Sequence, residues 1–212
     1  PLAKVASADE MSAAVDYDEG SLPADWDDLI EEARSGIVRF EGGELRVSAT
    51  PAMTLIHVDG RLPARALAMS GAKAAARAIL RLDIGGSIGV DLSTVAGKAD
   101  RQVIGETVDA TLPKPFERTA VNGFGFLQIV RPRRHASLFE LAADRAEFEA
   151  RALLRQAARS VGSIRLLAHP AVMVTLEGRP AWIEQLSRQV GGSVTLRADP
   201  TIAMSAGHAE KS

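Results

Sequence analysis

The 212 residues contain no cysteine. That excludes disulfides, thiolate metal sites and cysteine nucleophiles, so the fold must hold by packing alone and any metal must sit on oxygen or histidine. Aromatic residues are scarce, at 4%, so most of them are expected inside a core. No uncharged apolar run approaches the length needed to cross a bilayer, and Pro1 to Ala8 lack the basic-then-apolar order of a secretory signal. A cytoplasmic protein without membrane contact is the expectation. An excess of positive charge is lacking too, since 25 basic residues face 27 acidic ones. A protein that coats nucleic acid through bulk charge is therefore excluded, and any polyanion must find a local footing.

What is present suggests an α/β chain. The acidic residues crowd the first third, and residues 1–24 carry few large apolar side chains, which predicts a mobile acidic arm. Asp25 is placed to cap a helix in which Trp26, Leu29, Ile30 and Ala33 recur at helical spacing. Ile37 to Val47 alternate around Glu41-Gly42-Gly43 as a hairpin would, and Met53 to Val58 form a third strand running into Asp59-Gly60. An alanine-rich helix from Pro63 to Leu82 then precedes the short apolar strand Ser87 to Asp91, an order that predicts a parallel crossover. A helix over 98–112 and two short strands around Asn122-Gly123-Phe124-Gly125 follow. Beyond them come a helix from Asp144 to Val161, the strand Ile164 to Ala168, a helix ending near Val190 and the strand Val194 to Arg197. The predicted organisation is an α/β domain over 25–143 with a mixed sheet and flanking helices. A small α/β domain over 144–204 and a disordered tail over 205–212 complete it.

Asp59 and Asp91 both end strands. Aspartate is a poor strand residue and its desolvation is costly, so two of them call for a reason. If their strands are neighbours, both carboxylates emerge at the C-terminal edge of the sheet, where open α/β sheets place ligands. They would repel each other unless a hard cation such as Mg²⁺ lay between them, and that cation could bind phosphate and acidify a water. The blander reading, in which each aspartate caps the turn that follows it, is the commoner role for a lone strand-end aspartate.

These residues carry a resemblance. Gly42-Gly43-Glu44-Leu45, then Leu55-Ile56-His57-Val58-Asp59, then Arg77 to Leu82 leading into Asp83-Ile84-Gly85-Gly86-Ser87-Ile88-Gly89-Val90-Asp91, look like the catalytic region of the ribonuclease E/G family of bacterial endoribonucleases. The likeness continues through Lys98 to Arg101, Arg118 and Phe124-Gly125-Phe126-Leu127-Gln128-Ile129, and Arg151 to Ala198 is similar to that family's small C-terminal domain. The resemblance implies a metal-dependent RNA phosphodiester hydrolase cutting single-stranded RNA, with Asp59 and Asp91 holding Mg²⁺, or Mn²⁺ in its place.

The chain also departs from the family. An RNA-binding S1 domain and a pocket for the RNA 5′ end do not fit in the acidic first quarter. The cysteine pair that shares zinc between subunits is absent, so no zinc is expected and any homodimer must be held by protein surface alone. Arg61 stands where the family has an asparagine that orients the site. The alternative is a catalytically degenerate RNA-binding or assembly protein of the same fold.

The supporting residues are less specific. Arg131, Arg133 and Arg134 could bind phosphate, as could Lys98 and Arg101 at a helix start and Arg118 beside them. Solvation or salt bridging is the competing role for each. Asn122 and Phe124 could offer RNA a stacking surface, although the core is the commoner place for such a ring. His57 shares a strand face with Asp59 and is expected to be hydrogen-bonded. His135, His169 and His208 show no zinc-ligand spacing.

Overall fold

The computed structural model describes residues 26–212. The acidic arm over 1–24 and the cap at Asp25 lie outside the described residues. The described chain divides between Leu141 and Ala142 into two compact units.

In the first unit, helix α1 (Trp26–Ser35) leads into strands β1 (Ile37–Phe40), β2 (Gly43–Ala49) and β3 (Thr54–Gly60). Helix α2 (Ala64–Arg81) crosses to β4 (Gly86–Asp91), and α3 (Lys98–Thr111) leads to β5 (Glu117–Arg118), β6 (Phe126–Arg131) and the short α4 (Leu138–Leu141). The strands form one mixed sheet in the order β1-β2-β3-β4-β6-β5. Only β3 and β4 run parallel, as the strand–helix–strand pattern predicts. The first of the two strands expected around Asn122 is shorter and earlier than predicted. Only Glu117 and Arg118 pair with β6, and residues 119–125 are irregular.

The period-two pattern gives the sheet two unlike faces. Leu45, Val47, Ile56, Val58, Ile88, Val90, Leu127 and Ile129 are buried on one face. Gly71 shows how closely α2 lies there, because a Cβ at that position would overlap the side chain of Val58. The arginine ending α2, Arg81, pairs with Glu32 of α1. Burial pushes the Glu32 carboxyl above its ordinary pKa, and the Arg81 guanidinium draws it partly back. The other face of the sheet presents Arg46, His57 and Asp59 exposed to solvent.

The second unit contains α5 (Arg145–Ala157), β7 (Ile164–Ala168), α6 (Pro170–Glu177), α7 (Pro180–Val190), β8 (Val194–Ala198), a 3-10 turn at Met204–Ala206 and β9 (His208–Lys211). Asp144 caps α5 by accepting the Glu147 N–H. The single helix expected before Val190 is two, parted at Gly178-Arg179 with Pro180 opening the second. The expectation of a disordered tail from 205 is corrected: β9 pairs antiparallel with β7 over Ile164 to Leu167, giving the sheet order β8-β7-β9. The tail is too polar to read as a strand, and its pairing depends on the open edge of β7. Ile164, Leu166 and Ala168 pack with Leu153, Leu154, Val172, Leu176 and Leu186 into this unit's own core. No helix among the described residues is long and apolar enough to cross a membrane.

Candidate functional site

Because β3 and β4 are parallel neighbours, their carboxyl ends share one edge of the sheet. The register sets His57 opposite Asp91, and Asp59 lies two residues further along β3. Alternation then puts His57, Asp59 and Asp91 on the same face, away from the helix-covered core. With strands ~4.8 Å apart and a rise of ~3.3 Å per residue, the Cα atoms of Asp59 and Asp91 are roughly 8 Å apart. The sequence-based expectation of two strand-end aspartates on adjacent strands therefore agrees with the topology.

Three further groups complete the surroundings. His57 Nδ1 lies 2.8 Å from Asp91 Oδ2, with the two side chains 49% and 44% exposed. Asp59 Oδ1 accepts the Gly60 N–H at 2.8 Å, which fits the turn-capping role and leaves Oδ2 without a hydrogen bond among the described residues. Glu44 sits directly across from Asp59 on β2, a like-charge pairing that costs stability unless neutralised. Arg46, opposite His57, supplies that neutralisation through a 2.7 Å bridge to Glu44. The sequence places Glu44 as an outward polar residue of the hairpin and in a family-like stretch, without a role at the site. The one signal that could have found it is its outward phase on the strand that pairs with β3.

The donor chemistry suits a small hard cation in part. Mg²⁺ typically takes one or two protein carboxylates and keeps several waters, so two outward-facing aspartates are a sufficient donor set. No group of three or more His, Asp or Glu side chains disposed to hold a metal occurs among the described residues. Two such carboxylates could hold a hydrated ion only, not one caged by protein.

The basic residues are distributed unevenly about this edge. The β4 strand runs from Asp91 into the 92–97 segment and then α3, while Arg65 at the start of α2 binds Asp100 at the start of α3, 2.7 Å away. Both helix N-termini therefore lie together at the aspartate edge, where their dipoles favour anions. Lys98 and Arg61 are exposed there and make no side-chain ion pair among the described residues. Arg101 is otherwise engaged: its guanidinium donates to the carbonyls of Val95 and Ala96 and holds the loop before α3. Arg118 forks onto Asp109 at 2.7 and 2.5 Å. That pairing holds the Asp109 carboxyl below its ordinary range and raises Arg118. The salt bridge weighed against a phosphate role for Arg118 is what the structure contains.

The Arg131 group lies elsewhere. Arg131 pairs in register with Gly86, at the start of β4, so it sits at the end opposite Asp91, ~17 Å along the strand. Its guanidinium binds Asp83 and the Ile84 carbonyl, Arg133 bridges Glu140 at 2.9 Å, and Arg134 is exposed. A footing formed by these three beside the aspartates is not what the topology provides.

The Asn122–Gly125 loop, by contrast, is at the aspartate edge, because Phe126 pairs with Asp91. The core placement weighed for Phe124 is corrected, since its ring is 83% exposed. Among the histidines, His169 caps α6 by accepting the Ala171 N–H, His135 lies 3.6 Å from Asp83, and His208 lies 3.4 Å from Glu210.

No family model matches this chain, and no curated protein matches it.

Proposed function

We propose that this chain is a magnesium-dependent endoribonuclease acting on single-stranded RNA, a relative of the ribonuclease E/G catalytic core. The observation that carries the reading is the juxtaposition of Asp59 and Asp91 on one open face, at the shared carboxyl edge of two parallel strands. Such an edge is where open α/β sheets bind ligands. When bound there, Mg²⁺ (or Mn²⁺) supplies charge neutralisation at a phosphate oxygen and a more acidic water. The chain's own residues do the rest. Asp59 and Asp91 provide hard anionic oxygens, and His57 fixes the Asp91 carboxylate from one side. Lys98 and Arg61 offer charge to the RNA backbone beside two helix N-termini.

A second reading is favoured by two specific observations. Arg61 replaces the asparagine expected two residues after the first aspartate, and one Asp91 oxygen is already engaged by His57. On that reading the protein binds RNA, or assembles with another protein, without cutting. The test is incubation of purified protein with single-stranded RNA and Mg²⁺ beside Asp59→Asn and Asp91→Asn. Metal-dependent cleavage lost in both variants supports the nuclease. RNA bound but never cut at any Mg²⁺ or Mn²⁺ concentration supports the degenerate binder.

A further inference from the structure

Phe124 is an exposed aromatic in a chain with few aromatics, and it sits on a rigid loop. Asn122 Oδ1 accepts both the Phe124 N–H at 2.9 Å and the Phe126 N–H at 3.0 Å. The Asn122 carbonyl accepts the Gly125 N–H at 3.2 Å. Gly125 has φ +90° and packs so closely on the Leu92 carbonyl that a Cβ there would overlap it. The Leu92 N–H in turn donates to the Gly125 carbonyl, and Thr94 Oγ1 donates to the Phe124 carbonyl at 3.2 Å. The loop is thus fastened on both sides to the segment that immediately follows Asp91. Such fastening leaves the backbone beneath the ring little conformational entropy to lose when the ring is covered.

Two kinds of surface could cover it. A protein interface of ordinary size needs about 800 Å² from each partner with a continuous apolar centre. The ring's chain neighbours do not supply one: Asn122 and Gly123 are exposed, Val121 and Gly125 are buried, and a Cβ on Gly123 would meet no heavy atom within 4 Å. An isolated flat ring in open space matches a single flat partner. Nucleobases stack on such rings whatever their sequence, because every base has a π-face.

We infer that Phe124 is a stacking platform for one base of a single-stranded RNA whose backbone passes the Asp59–Asp91 edge. This rests on the RNA reading above and adds to it a base-binding subsite next to the metal ligands. It also gives an overall acidic protein a means of holding RNA that does not depend on charge.

Binding is measured without divalent metal, by anisotropy of a labelled RNA decamer and of a decamer with the same backbone and abasic riboses. Phe124→Ala is expected to weaken binding of the decamer about five- to a hundred-fold, while leaving the weaker binding of the abasic strand unchanged. Phe124→Trp is expected to keep the affinity and to add an indole emission that RNA quenches. Equal binding of both strands by wild type and Phe124→Ala overturns the inference. So does a Phe124→Ala protein that binds RNA normally but sediments as a smaller species, which assigns the ring to a protein contact. Wild type that binds the decamer through Phe124 yet never cuts it with Mg²⁺ upholds the platform and removes the nuclease reading. Wild type that binds neither strand overturns the platform, and cleavage of the decamer with Mg²⁺ then decides the nuclease reading by itself.

Discussion

Replacing Asp91 by Asn separates chemistry from folding because the two effects differ greatly in size. The Asp91 side chain is 44% exposed and its histidine partner 49% exposed. An ion pair that open to water is worth about 0–1 kcal/mol. Asparagine keeps the shape and an oxygen able to accept from His57, so at most about 1 kcal/mol is lost, which for a chain of this length is a fall in Tm of roughly 2–4 °C. Cleavage should respond far more. Losing groups that only orient metal ligands costs ~10–100-fold, so losing an anionic ligand itself should cost at least about a hundred-fold at fixed Mg²⁺. RNA binding without metal should be unchanged or a few-fold tighter, because a negative charge near a polyanion has gone; two unit charges 4 Å apart interact by only ~1 kcal/mol in water. The measurements are gel-resolved cleavage, thermal unfolding and fluorescence anisotropy on one preparation. Cleavage at the wild-type rate would refute the metal role. A Tm fall well beyond 4 °C would show that the carboxylate is structural and that the energetic reasoning is wrong.

Arg61→Asn restores the amide that the family resemblance expects, and a rise in cleavage of about ten-fold with an unchanged Tm is expected; an unchanged or lower rate on RNA would remove Arg61 as the limiting departure. Asp109→Asn addresses the pairing with Arg118. The Asp109 pKa is lowered in the fold, so its stabilisation is fully present above the ordinary carboxyl value of 3.8 and is lost as pH falls through the lower folded value. The variant should be less stable near neutral pH and lose less stability on acidification, read from urea midpoints at pH 7 and pH 3; parallel curves would contradict the pairing. Removal of residues 208–212 takes β9 from the edge of β7. Amides of β7 should then exchange faster with solvent, and exchange unaltered from the full chain would restore the tail to the disorder expected from its polarity.

Much of the fold was legible because local pattern and tertiary use agree. Leu45, Val47, Ile56 and Val58 alternate with polar residues, and every one of them lands on the buried face. A short β-branched run after an alanine-rich helix reads as a parallel strand, and β4 is one. Misreadings arose where a nonlocal partner decides. His208 to Lys211 become a strand only because β7 offers an unpaired edge. Thr119 to Val121 have strand composition, yet they form the approach to a loop fixed by the Asn122 side chain.

The site divides along the same line. The strand-end placement of both aspartates was legible because a carboxylate there conflicts with local propensity, and such conflict is visible in one dimension. The status of an arginine is not. Arg101, Arg118 and Lys98 look equivalent in sequence, but two are spent on backbone carbonyls and on Asp109, and of the three only Lys98 is exposed with no ion pair among the described residues. Arg131 is bound to Asp83 at the far end of β4, and the exposed cations near the aspartates that make no ion pair among the described residues are Lys98, Arg61 and Arg39, the last in the cross-strand row of Glu44 and Asp59. Three cations in a chain of net charge −2 release few counterions on binding, so on the RNA reading the electrostatic part of the affinity is modest. On the proposed reading, selective binding at this edge draws on the metal and on contacts that salt does not screen. The exposed ring of Phe124, fastened to the segment after Asp91, is the group there able to provide such a contact.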